Sequence, residues 1–195
     1  MKSIRTCLLF AFAVVSLVFV TAAPSMAQSD FLLQVRSGAR FTLDREKSDN
    51  IDIITSAGPG APGGHVKVFD GARKAGKASG HVKAFSAGTL QMLRPSESVV
   101  ITHTTSEVSI KFDNYAPLKS SRNGQPITWT RPDGAKYKLT SWLKNGSLIQ
   151  VLSSSDETVT RTFTVSGSTL TIKLEASSSG SDNKPTCYLS YKLAR

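Results

Sequence analysis

From Val99 to Leu193 the chain is a succession of short runs with apolar residues at alternate positions, cut at short intervals by residues that favour tight turns. Val108-x-Ile110-x-Phe112, Leu170-x-Ile172-x-Leu174 and Cys187-x-Leu189-x-Tyr191-x-Leu193 each place one apolar set on one face of an extended strand. Val159, Arg161, Phe163 and Val165 share a face in the same way, opposite Thr158, Thr160, Thr162 and Thr164. Asn145-Gly146 suits a type I′ hairpin, whose two central positions need positive φ. Asn123-Gly124, Pro132-Asp133-Gly134 and Gly167-Ser168 supply further turns. Eight short strands joined this tightly leave no room for helices between them, so sequence neighbours pair antiparallel. The expected fold is all-β: an antiparallel up-and-down meander closed into a barrel, with a β-sandwich as the alternative. Closure is favoured because it removes exposed strand edges.

The first 27 residues have a different character. Lys2 and Arg5 precede an apolar run from Cys7 to Val20, and Ser25-Met26-Ala27 forms a small-x-small pattern. These are the three parts of a signal peptide. The run of 14 residues is shorter than the roughly 20 needed for a membrane-spanning helix. The sequence therefore predicts a cleaved signal peptide over 1–27 and a single domain over 28–195, exported to the periplasm or beyond and not integral to a membrane. Cleavage lowers the net charge from +10 to +8 and leaves Cys187 as the sole thiol, so no intramolecular disulfide is expected. Within a strand-like run, that cysteine reads as a small buried hydrophobe. A turn or two of helix is expected around Phe31 to Val35.

Residues 56–96 interrupt the pattern. They are rich in Gly, Ala, Ser and Lys, and read as a peripheral insertion that would return little burial for the entropy of ordering it. The insertion contains a repeat, Gly64-His65-Val66-Lys67-Val68-Phe69 and Gly80-His81-Val82-Lys83-Ala84-Phe85, which suggests an added hairpin. Two histidines alone do not build a metal centre. Gly71 to Lys77 fits G-x-x-x-x-G-K, but Ala78 stands where the Mg²⁺-ligating hydroxyl of a phosphate loop belongs, so no nucleotide site follows. Lys67, Arg73, Lys74, Lys77 and Lys83 form a basic surface that could meet an anionic envelope. Aromatics are not interleaved with these cations as single-stranded nucleic acid would require, and no nucleic-acid partner is expected.

Several motifs together resemble a known family. Ala39 to Ser48 is similar to the opening of small exported bacterial lipocalin-like proteins. Pro132-Asp133-Gly134, Trp142-x-x-Asn145-Gly146-x-Leu148, Val159-Thr160-Arg161-Thr162-Phe163-x-Val165 and Leu170-Thr171-Ile172 resemble their successive hairpins, in the same order. The resemblance implies a lipocalin-like, calycin-type barrel and supplies no catalytic residues. Phe41 replaces a common Trp, and the insertion has no evident counterpart.

Three function classes stay open. The first is an exported binder of a small apolar ligand, with Trp129, Tyr137, Trp142 and Phe163 as candidate lining residues. Tyr137 and Trp142 are five apart, so a regular strand turns them to opposite faces. The second is a non-catalytic protein that contacts the envelope surface through its basic insertion. The third is an enzyme, for which no nucleophile elbow, metal motif or Cys–His pair is present, so no catalytic residue, metal or cofactor is assigned.

Overall fold

The computed structural model describes residues 30–55, 63–69, 85–179 and 184–194. The expected signal peptide and the basic positions Arg73, Lys74, Lys77 and Lys83 lie outside them.

A short helix α1 (Asp30–Gln34) leads into β1 (Ala39–Leu43). Then follow β2 (Asn50–Thr55), β3 (Gly63–Phe69), β4 (Phe85–Ser86) and a second short helix, α2 (Ala87–Leu93). The meander comprises β5 (Ser98–His103), β6 (Glu107–Phe112), β7 (Leu118–Ser121), β8 (Ile127–Thr130), β9 (Lys136–Lys144), β10 (Ser147–Ser153), β11 (Glu157–Ser166), β12 (Thr169–Ser178) and β13 (Thr186–Leu193). Ten of these strands form one antiparallel sheet in the order β7-β6-β5-β1-β13-β12-β11-β10-β9-β8. The expected all-β meander is therefore present, in one sheet and not two. β1 joins its two halves: Phe41 pairs with Val99 of β5 on one side and Leu193 of β13 on the other.

The sheet curls until its ends nearly meet. β7 and β8 share no ladder. Across this seam Asn123 forms an isolated bridge with Trp142, and Ser120 Oγ donates to Ser141 Oγ at 2.7 Å. The result is a nearly closed barrel. The hairpin between β9 and β10 forms as its turn residues dictate, with φ of 50° at Asn145 and 71° at Gly146.

Alternation then decides what fills the interior. Val99, Ile101, Val108, Ile110, Leu139, Leu148, Leu152, Val159, Phe163, Leu170, Ile172 and Tyr191 are buried in one contiguous core. α1 adds Phe31 and Val35 to it, and His103 Nε2, near the end of β5, lies 2.8 Å from the Val35 carbonyl oxygen. α2 belongs to the opposite end, where the side chain of Glu157, the first residue of β11, receives three hydrogen bonds: from the Ser86 amide at 2.7 Å, the Ser86 hydroxyl and the Thr89 hydroxyl.

That helix corrects one expectation. Residues 56–96 were expected to be peripheral as a whole, yet Phe85, Leu90, Met92 and Leu93 are buried in the barrel core. Ser86 caps α2 by accepting from the Thr89 amide, and the spacing of Leu90 and Leu93 puts both on one face. The segment's average composition conceals this short apolar stretch. Upstream, β2, β3 and β4 make a small separate sheet. β3 contains the first copy of the repeat, with Lys67 in register with Asp52, and β4 begins at Phe85, the last residue of the second copy.

Candidate functional site

A barrel interior built by strict alternation should be apolar at every inward position. Here four inward residues are polar and buried: Ser120, Ser141, Gln150 and Arg161. They are neighbours across the sheet. Gln150 pairs with Ser141 on β9 and with Arg161 on β11, while Ser120 reaches Ser141 across the seam. One polar band thus crosses the interior from β7 to β11.

Arg161 is the chemically distinctive member. It is 5% exposed, and its Nη1 donates to Gln150 Oε1 at 3.2 Å. Nη2 donates to the Met92 carbonyl oxygen at 2.9 Å, close to the end of α2. Its Cζ lies 4.6 Å from the centroid of the Phe112 ring, in a cation–π arrangement. No ion pair involving Arg161 occurs among the described residues. Burial lowers its affinity for the proton, to a pKa of about 10, although the nearby Tyr191 acts in the opposite direction. Arg161 Nε and Gln150 Nε2 are buried donors that make no hydrogen bond. The Tyr191 hydroxyl is likewise buried, makes no well-formed hydrogen bond, and is held protonated far into the alkaline range mainly by desolvation. A buried donor without an acceptor costs about 1–3 kcal/mol.

Arg161 and Tyr191 both face a cavity of about 220 Å³ beneath the C-terminal end of α2. Its walls are mostly apolar: Phe112, Leu118, Trp129, Ile172, Leu174 and Leu189. Arg131 and Asp133 of the β8–β9 turn and Tyr115 of the β6–β7 loop also line it, and Tyr115 is half exposed. The volume exceeds the roughly 150 Å³ of a cavity known to hold benzene, and falls below the roughly 300 Å³ at which drug-sized pockets begin. It suits a small molecule with a slender apolar body.

Of the four aromatic residues considered as lining, the cavity wall includes Trp129. Tyr137 pairs with Trp129 in the β8–β9 ladder, and their rings lie 6.0 Å apart, but Tyr137 is packed behind it. Phe163 is fully buried with its ring 6.4 Å from that of Phe112, as part of the core. Trp142 follows the inward Ser141 on β9 and so points to the outer face. Arg161 and Gln150 belong to no recognisable binding motif in the sequence. The signal was available in Arg161, a charged residue at an apolar position of a period-two strand.

Cys187 is buried, and desolvation pushes its thiol up to about 12, so the thiolate nucleophile is not formed near neutral pH. Among the described residues no group of three His, Cys, Asp or Glu side chains converges as metal ligands would. No described helix is long and apolar enough to cross a membrane.

No protein-family model matches the chain, and no curated protein matches it. Among solved structures it is similar to Echinococcus granulosus fatty-acid-binding protein 1, at 12% identity over 55% of this chain and 80% of that one, with a TM-score of 0.43. It is also similar to the REP1-NXSQ fatty acid transporter, at 20% identity over 56% of this chain and 80% of that one, with a TM-score of 0.42. At TM-scores this low, the chemistry of the cavity stands on its own residues.

Proposed function

We propose that this chain is an exported, non-catalytic binding protein for a small amphiphile, with an apolar body in the cavity and an anionic head, of carboxylate type, at Arg161. One observation carries the reading: a buried guanidinium with no carboxylate partner faces an apolar-walled cavity. A charge taken out of water without a partner is costly, and such groups are otherwise paired or neutralised. A carboxylate is the acceptor that a guanidinium fork fits best. Arg161, which lines the cavity, has in Nε a buried donor that no protein acceptor uses. Phe112, Trp129 and Ile172 supply the apolar wall. Export is inferred from Lys2, Arg5, the Cys7–Val20 run and Ala27.

The test is a titration with decanoate and with decanol, followed by Trp129 fluorescence in a Trp142→Phe background. Decanoate should quench or shift the emission saturably and bind at least about tenfold tighter than decanol, the increment expected of one charge-assisted contact. Equal affinities, or no saturable change with either, would overturn the reading.

A further inference from the structure

Arg131 presents a second guanidinium to the same cavity. Its side chain is 9% exposed, although it belongs to a surface turn. Nη2 is held by the Gln91 side-chain oxygen and lies 3.3 Å from Asp133 Oδ2. Nη1 is buried and makes no hydrogen bond. The guanidinium reaches this position because residue 88 is glycine. A Cβ there would collide with Arg131 Nη1 and stand 2.5 Å from the Tyr137 hydroxyl.

Three arginines line the cavity, Arg94 just after α2, Arg131 at the β8–β9 turn and Arg161 within β11. Arg94 is exposed, so the two cationic groups shielded from solvent are Arg161 and Arg131, on different elements and with apolar side chains lining the space around them. A ligand with one polar end satisfies the first only. Asp133 already offsets part of the Arg131 charge, so the second ligand group need only be an acceptor oxygen. We propose that the cavity selects carboxylates bearing a second oxygen at the far end of the apolar chain, α,ω-dicarboxylates or ω-hydroxy acids, with Arg131 as the residue that reads the second end. This inference rests on the Arg161 reading above. If Arg131 served only to tie α2 to the β8–β9 turn, ligand selectivity would not depend on it.

The experiment is calorimetric titration with two matched series, octanoate to dodecanoate and octanedioate to dodecanedioate. At one chain length the dicarboxylate should bind about tenfold tighter than its monocarboxylate, because the two guanidinium groups are fixed and only one span bridges them. Arg131→Gln should abolish that preference, so that at every chain length the dicarboxylate binds no tighter than its monocarboxylate. Gly88→Ala should do the same by a different route, displacing the Arg131 guanidinium with a residue that favours the helix. Monocarboxylate binding with no dicarboxylate preference at any length, or a preference that survives both variants, would overturn this inference alone. Failure of the monocarboxylates to bind would overturn the Arg161 reading and this inference with it.

Discussion

Arg161 stands directly opposite Gln150 in the β10–β11 ladder and donates to its side-chain oxygen at 3.2 Å, so the one charged group of the interior band is paired with a neutral amide. The amide accepts a hydrogen bond but compensates no charge. A lowering from 12.5 to about 10 corresponds to roughly 3 kcal/mol of destabilisation at neutral pH. Arg161→Met keeps a long side chain and removes the charge. It should stabilise the ligand-free protein by about 1–3 kcal/mol, as replacement of buried ionic groups by apolar ones does elsewhere, while removing the preference for anionic ligands. Urea denaturation and decanoate titration of the same variant check both halves. A variant that loses stability and keeps its carboxylate affinity would show that Arg161 is a structural tie to α2.

Glu157 and Arg161 lie four residues apart on β11 and hold the beginning and the end of α2, respectively. Glu157→Ala leaves the Ser86 amide, the Ser86 hydroxyl and the Thr89 hydroxyl without their acceptor. The expected cost is about 1–3 kcal/mol, with faster amide hydrogen exchange confined to residues 87–93. Exchange that quickened equally in β11 and β12 would show that α2 and the barrel wall open together.

Alkaline stability follows from three buried groups. Desolvation raises the Cys187 thiol from 9.0 to about 12 and raises the Tyr191 hydroxyl well above its usual 10.0. In both cases the unfolded chain loses its proton first, so their contribution is complete below pH 9 and declines as the pH rises through the unfolded values. Each group adds a slope of up to about 1.4 kcal/mol per pH unit. Arg161 works the other way. Its folded-state pKa of about 10 lies below the unfolded 12.5, so its burial penalty is relieved only above pH 10. Stability should therefore begin to fall between pH 9 and 10, and Cys187→Ala should flatten the first part of that decline. Urea midpoints measured at half-unit steps of pH would show it.

Much of the fold was legible in the sequence because turn chemistry and alternation agree. Asn145-Gly146 and Pro132-Asp133-Gly134 mark real hairpins, and the inward sets of β11 and β12 are the ones that alternation selects. Two strands of the ten-stranded sheet escaped the count of eight: β7, four residues long, and β1, whose partners are distant in sequence. α2 was hidden because seven residues are too few for a helical period to emerge from a glycine- and alanine-rich segment. The site was less legible because facing parity, and not aromatic identity, decides which side chains reach the interior. Trp142 is apolar but outward, whereas Arg161 is charged but inward. Which inward residues border empty space and which pack solidly, as Leu189 and Phe163 do respectively, depends on contacts among β6, β11, β13 and α2 that no local pattern encodes.

The central claim is that Arg161 holds an ionised head group inside the barrel, and carbon-13 NMR of decanoate labelled at its carboxyl carbon tests it most directly. In the complex, an adjacent guanidinium should keep the carboxylate ionised to lower pH than in free decanoate, and Arg161→Met should abolish that shift. A bound resonance that titrates at or above the value of free decanoate would place the head in bulk solvent or in an uncharged pocket, and would contradict the account.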